Sequence, residues 1–196
     1  MSEQTAERGR SDGAPTVLDL GCDNNKLEGA VGVDQNPDSA ADIQHDLDQR
    51  PWPLPSDTFE HVRALDVFEH VEDLVACMEE VHRVCAPDAT VFIRMPFMTS
   101  VHFATDPTHR RAATSRTFDY FDPTRPLGRY GYSSARFEVL SVHYERGYPN
   151  NLLGRSLQRL DRGLMPWIHR HREEYEHFFA GVYPMHNVCF RLRVAK

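Results

Sequence analysis

Three side chains able to move a proton stand close together in the second half of the chain. They are His102, Asp106 and His109, within His102-Phe103-Ala104-Thr105-Asp106-Pro107-Thr108-His109. A histidine titrating near neutrality can take the proton of a nucleophile, and a neighbouring carboxylate would hold its ring and raise its pKa. Three N/O ligands would also suit zinc or iron, although Pro107 works against a regular helix that would align them on one face. An Asp-Pro turn with surface histidines is the remaining reading. We expect a catalytic role and no resident metal. Arg110, Arg111, Arg116, Arg125 and Arg129 follow, with Tyr120, Phe121 and Tyr130 between them. Arginines among aromatics suit an anionic or ring-bearing acceptor, such as a nucleotide-linked sugar, a phosphorylated saccharide or an RNA segment. An arginine-rich surface balancing an acidic partner half would look the same.

A second set of residues sits where apolar runs stop. Thr16-Val17-Leu18-Asp19-Leu20 ends at Gly21, and Ala30-Val31-Gly32-Val33 ends at Asp34. Both read as buried strands followed by turns. Ala41-Asp42-Ile43 is a weaker strand, His61 to Leu65 another, and Thr90 to Met95 a fifth, stopped by Pro96. Glu69 to Cys85 carries apolar residues at helical spacing, with Glu72 and Asp73 in its first turn. Pro51, Pro53 and Pro55 impose an extended connector between the third and fourth strands. Residues 97–134 lack a clear period and form a long, polar, aromatic-rich insertion. Beyond it, Arg136 to Glu145 alternates as a strand would. Leu153, Leu157, Leu160, Leu164 and Ile168 make a helical stripe interrupted near Gly163 and Pro166, read as a lid packed on the domain or a helix lying on a membrane surface. Val188 to Val194 closes the chain as a half-exposed strand. This order predicts an α/β, Rossmann-like sheet, mostly parallel, with an antiparallel closing C-terminal strand. Such sheets bind ligands beyond the carboxyl ends of their strands.

The pieces at those ends resemble the class I S-adenosylmethionine-dependent methyltransferases, and within them the methyltransferase type 11 group. The resemblance runs through Val17-Leu18-Asp19-Leu20-Gly21-Cys22, Val31-Gly32-Val33-Asp34, Asp42-Ile43-Gln44-His45-Asp46-Leu47, Asp66-Val67-Phe68-Glu69-His70 and Glu80-Val81-His82-Arg83-Val84. It covers roughly residues 16–123. It implies S-adenosylmethionine as cofactor, bound by Asp19, Gly21, Asp34, Asp46, Leu47 and Asp66. A glycine lets the backbone approach the ligand, and Asp34 offers two oxygens to two ribose hydroxyls. Asp46 is placed to accept from the adenine amino group, Leu47 to pack on the ring, and Asp66 to hold the ammonium group. Asp23 stands where the family usually has a second glycine, and its charge would lie near the cofactor carboxylate. Lys26 is the expected counter-charge. Only a short segment separates Gly21 from Val33, which leaves little room for a crossover helix.

Composition narrows the alternatives. The 196 residues are 40% hydrophobic and 26% charged, which fits one globular domain over 16–196 behind a disordered tail, 1–15. No apolar run is long enough to span a membrane, no secretory signal is expected, and four cysteines without a CxxC pair suggest a cytoplasmic protein. The net charge of −7 is uneven, with 7 Lys+Arg against 20 Asp+Glu up to Phe97 and 15 against 9 from Met98. A nicotinamide-dependent dehydrogenase is disfavoured, because the three glycines of its phosphate loop are missing. The function expected is methyl transfer to an oxygen or nitrogen of a small-molecule, saccharide- or nucleotide-type acceptor. Nucleic acid is a further candidate, and the oligomeric state is open. A non-catalytic module with an altered cofactor site and a metal-dependent hydrolase are the alternatives.

Overall fold

The two apolar runs that stop at Gly21 and Asp34 become neighbouring parallel strands, β1 (Val17–Leu20) and β2 (Val31–Asp34), with Leu18 opposite Val31. In the computed structural model, which describes residues 16–148 and 151–196, they belong to one seven-stranded sheet. The expected tail, 1–15, lies outside the described residues. β3 (Ile43–Gln44), β4 (Phe59–Leu65) and β5 (Cys85–Pro96) complete the parallel part. β6 (Arg136–Glu145) and β7 (Asn187–Ala195) are antiparallel, and the order is β3-β2-β1-β4-β5-β7-β6. The last strand therefore does not form the sheet edge. It inserts between β5 and β6, burying Val188, Phe190, Leu192 and Val194 while Arg191 and Arg193 face solvent.

The helix expected over 69–85 is shorter, α1 spanning Leu74–Val84. Asp73 sets its start by accepting from the Ala76 N–H at 3.0 Å. The preceding residues form a turn, and the Arg111 guanidinium ties down the carbonyls of Phe68, Val71 and Glu72 there. The helix buries Cys77, Met78, Val81 and Val84. Cys85 is its C-cap and begins β5; all four cysteines are buried and free.

No helix among the described residues joins β1 to β2, as the short spacing there implied, and none joins β2 to β3 or β3 to β4. Side chains hold these loops instead. Asp42 takes the Gly32 N–H and the Lys26 ammonium, both at 2.7 Å. Lys26 is thereby committed to Asp42, not to the cofactor counter-charge expected of it. The proline connector is clamped by Glu80, which accepts from the Trp52 N–H at 2.7 Å, and by Arg83, which donates to the Leu54 and Trp52 carbonyls. With these helices missing, one sheet face buries Val62, Ala64, Val91 and Ile93. The alternate residues His61, Arg63, Phe92 and Arg94 stay exposed or partly so.

The insertion 97–134 is less irregular than its sequence suggests. It contains α2 (Val101–Thr105) and 3₁₀ turns at Thr117–Phe121 and Pro126–Tyr130, all too short to give a periodic signal. Phe118 anchors it edge-on to Phe190, centroids 4.7 Å apart. α3 (Leu152–Arg170) runs through Gly163 and Pro166 without the expected interruption. Ile168 packs into the core while Leu160 stays exposed. No helix is long and apolar enough to cross a membrane among the described residues.

Candidate active site

Gly21 follows β1 with φ +63°, a conformation L side chains rarely adopt, and a Cβ there would lie 2.5 Å from Val67 Cγ2. Glycine is required on both counts. Asp23, in the place of a second glycine, keeps the turn by also taking positive φ, +40°. Its N–H donates to Asp34 Oδ2 at 2.8 Å, and the Asn36 N–H donates to Asp34 Oδ1 at 2.8 Å. Asp34 therefore holds the turn that follows it while a lone pair on each oxygen remains for a ligand. Gly21, Asp34, Asp46, Leu47 and Asp66 line one cavity of about 320 Å³ at the carboxyl ends of β1, β2 and β4.

Within that cleft Asp46 accepts from the Asp48 N–H at 2.9 Å. Leu47 is buried, its carbonyl taking the Trp52 indole N–H at 3.0 Å. Asp66 has φ +53° and is paired with Arg94, whose Nε lies 3.0 Å from Oδ1. Asp19 departs from expectation. It is buried and points away from the cleft, accepting from Arg63 Nε at 2.8 Å and from the Leu27 N–H at 2.9 Å. Alternation along β1 places its side chain on the face opposite Leu18 and Leu20. Asp19 thus braces the β1–β2 loop and does not line this cleft.

A second cavity, about 520 Å³, adjoins the first and shares Asp66 and His70 with it; His102, Asp106 and His109 all line it. The insertion does bring the expected trio to one place, but not as a linked base and carboxylate. His102 stacks edge-on to His186, centroids 4.9 Å apart. Asp106 Oδ1 is taken by the Thr108 N–H and hydroxyl, at 2.8 and 2.6 Å, and its Oδ2 is 3.9 Å from His109 Nε2. The tautomer of His109 is set by the Phe103 carbonyl, 3.2 Å from Nδ1, because a carbonyl only accepts. Thr108 holds the Asp106 carboxyl below the usual carboxylate range.

Glu69 and His70 complete this wall, and the sequence reading assigned them no role. Glu69 is fully buried, neither carboxylate oxygen has a hydrogen-bond partner, and burial pushes its pKa up to about 8. Burial, then the neighbouring His109, lowers the pKa of His70. The signal available was the pair Glu69-His70 immediately after a strand end that carries a ligand-facing acid.

The arginines of the insertion are dispersed. Arg110 pairs with Glu72 at 2.9 Å, and Arg111 is consumed by helix-entry carbonyls. Arg116 and Arg125 line a separate cavity of about 510 Å³, where Asp119, Glu173 and Asp122 lie near their guanidiniums. Tyr120, Tyr130 and Tyr132 form a ring cluster instead of interleaving a basic patch.

Residues 18–93 match the family model described as a methyltransferase domain. No curated protein matches the sequence. A SAM dependent methyltransferase from Archaeoglobus fulgidus superposes with a TM-score of 0.55 at 18% identity, covering 92% of this chain and 86% of that one. An S-adenosylmethionine dependent methyltransferase from Mesorhizobium loti gives 0.51 at 14%, covering 92% and 91%. Phosphoethanolamine N-methyltransferase 2 of Haemonchus contortus, solved with S-adenosyl-L-methionine, gives 0.51 at 12%, covering 95% of this chain and 50% of that one. Residues 18–93 thus carry the sequence pattern of a methyltransferase domain, and the sheet as a whole shares the fold of these methyltransferase structures.

Proposed function

We propose that the protein transfers a methyl group from S-adenosylmethionine to an oxygen or nitrogen of an acceptor held in the larger cavity. The observation that carries this reading is the adjacency of two cavities, one walled by Gly21, Asp34 and Asp46 and the other by His70, His102 and His109, meeting at Asp66. The donor cavity suits a cationic nucleoside. Its acids favour the sulfonium and ammonium charges, and Gly21 lets the ligand approach the backbone.

Bound there, the cofactor supplies a methyl group on positively charged sulfur. In the transfer one acceptor–carbon bond forms as the sulfur–carbon bond breaks, the electron pair leaving with sulfur. The protein's contribution is alignment and exclusion of water. Asp34 would hold the ribose, Asp46 the adenine amino group with Leu47 against the ring, and Asp66, already balanced by Arg94, the ammonium end. A hydroxyl acceptor also needs a base, and His109, with Nδ1 protonated and Nε2 facing the cavity, is better placed than His102. The acceptor we envisage is a small molecule, with a saccharide- or nucleotide-type compound still compatible. The loss of Arg110 and Arg111 to structural contacts weakens the case for a strongly anionic one.

Calorimetric titration of the purified chain with S-adenosylmethionine and its demethylated product tests the reading. Saturable binding of both at one site is expected. Absence of binding to either would remove the enzyme and favour a scaffold that keeps only the fold.

A further inference from the structure

We propose that Glu69, His70 and His109 form a binding site for a divalent first-row transition-metal ion, zinc or a close neighbour, on the acceptor side of the cleft. One ligand atom from each residue lies within 4.8 Å of the others, two of them imidazole nitrogens and one a carboxylate oxygen. That donor set suits zinc, cobalt or iron(II) better than magnesium or calcium, which prefer oxygen alone.

The first argument is the buried carboxylate. Glu69 has no solvent exposure, and both of its oxygens lack a hydrogen-bond donor. Buried acids are ordinarily paired or coordinate metals. His109 Nε2 lies 3.9 Å from Glu69 Oε1, too far for a hydrogen bond. Two metal–ligand bonds of about 2.0–2.2 Å can span such a gap.

The second argument is the orientation of the two imidazoles. His109 Nδ1 faces the Phe103 carbonyl at 3.2 Å and must carry its proton there, which leaves the Nε2 lone pair turned toward Glu69 and Asp106. His70 Nδ1 is 2.9 Å from the Thr108 hydroxyl, and that hydroxyl donates its proton to Asp106 Oδ1 at 2.6 Å. The hydroxyl oxygen therefore accepts from His70 Nδ1–H, freeing His70 Nε2 as well. Metal-bound histidines are held in this way, with the other ring nitrogen donating to a carbonyl or to a carboxylate-linked group. The rings lie edge-on, centroids 4.6 Å apart.

Three protein ligands leave coordination positions open toward the 520 Å³ cavity. With His109 Nε2 committed to the ion, His109 no longer serves as the base. An acceptor hydroxyl bound to the ion would instead lose its proton more readily, to water in the open cavity, which assigns the ion an oxygen acceptor. That role rests on the methyl-transfer reading; the ion site itself does not.

The untagged full chain, stripped with chelator and dialysed, is titrated with Zn²⁺ by calorimetry and with Co²⁺ by visible absorption. One ion per chain is expected, with cobalt d–d bands of a nitrogen-ligated, low-coordinate centre. Glu69→Gln and His109→Ala should each weaken Zn²⁺ binding by at least about tenfold, and His102→Ala should leave it unchanged. Thermal unfolding of the same variants without ligand reports whether the fold is intact, and the wild-type chain is titrated separately with S-adenosylmethionine. Wild-type chain that binds less than one ion, or variants that bind as the wild type does, would overturn the site. So would a cobalt spectrum of the hexa-aquo ion, which needs no variant to fold. Zn²⁺ binding without S-adenosylmethionine binding keeps the ion site and removes methyl transfer; the converse removes the ion site alone.

Discussion

Replacing Asp34 probes the end of the cleft proposed for the cofactor, and the geometry sets two separate magnitudes. In the free protein the carboxylate accepts from two backbone N–H groups, of Asp23 and Asn36, each at 2.8 Å. Both contacts are near the surface, so water can take over, and Asp34→Ala should cost the fold about 1–2 kcal/mol. Binding is affected differently. With one lone pair per oxygen left over, a ribose diol would donate one hydrogen bond to each. Losing both charge-assisted bonds should weaken S-adenosylmethionine by about 1.5–3 kcal/mol, or roughly 10–150-fold in Kd. Asp34→Asn keeps one acceptor oxygen but turns an amide N–H toward a backbone N–H. Its affinity should fall between wild type and alanine, while its stability should be no better than that of alanine. Calorimetry gives the affinities, and thermal unfolding without ligand gives the stabilities. Affinity within twofold of wild type in both variants, at lowered stability, would refute the ribose contact and reduce Asp34 to a turn residue.

Gly21→Ala should lower the denaturation midpoint, by about 1–2 kcal/mol from the backbone alone. The overlap with Val67 adds to this; Val67→Ala would remove the Cγ2 contact but leave Val67 Cβ at 2.6 Å, so it should not rescue the variant, and an unchanged midpoint in the single variant contradicts the geometry. Asp23→Gly relieves a positive φ and removes an acid from the cleft, so stability should rise by roughly 1 kcal/mol and S-adenosylmethionine should bind more tightly. Calorimetry at low and high salt separates charge from geometry, since only the charge part shrinks with salt, and weaker binding would make Asp23 a ligand contact. Glu80 has its pKa lowered first by the Arg83 guanidinium, against burial, and further by the Trp52 N–H. A depressed folded-state pKa means its stabilisation is fully present above the ordinary value near 4.5 and is lost as pH falls through the folded value. Glu80→Gln should therefore be less stable than wild type at pH 7, by about 1–3 kcal/mol, and the two should converge toward pH 3. A difference that persists unchanged at low pH, in urea melts, would place the effect in packing.

Where the apolar runs stop was readable because β-branched and aliphatic residues end abruptly at Gly21, Asp34 and Pro96, and a turn residue after such a run fixes the strand end locally. The mostly parallel sheet followed from a strand–turn–strand then strand–helix–strand succession of signals and from the resemblance carried by those same ends. The start of α1 was misplaced by several residues, because Glu69 and Glu72 suit a helix N-terminus as well as Asp73 does. Only the Arg111 guanidinium, from about 40 residues further along the chain, holds the preceding carbonyls in a turn. The 3₁₀ turns of the insertion were invisible for a simpler reason: five residues give no period to detect.

The sequence by itself determined which acids and glycine end which strands, since strand termination is a property of neighbouring residues. It also determined that the β1–β2 connection has no room for a helix. Which of the acids on these strands open onto the cleft was decided by the tertiary structure. Asp19 and Asp34 differ little in their local sequence, yet alternation along β1 and the arrival of Arg63 from β4 turn Asp19 to the opposite face. The wall of the second cavity was likewise settled by sheet order. Pairing β4 with β5 brings the end of one strand, with Glu69 and His70, against the loop leaving the other, with Asp106 and His109. No spacing rule links a glutamate to a histidine 40 positions away; their meeting, and the burial that leaves the carboxylate without a donor, exist only once both strands lie side by side.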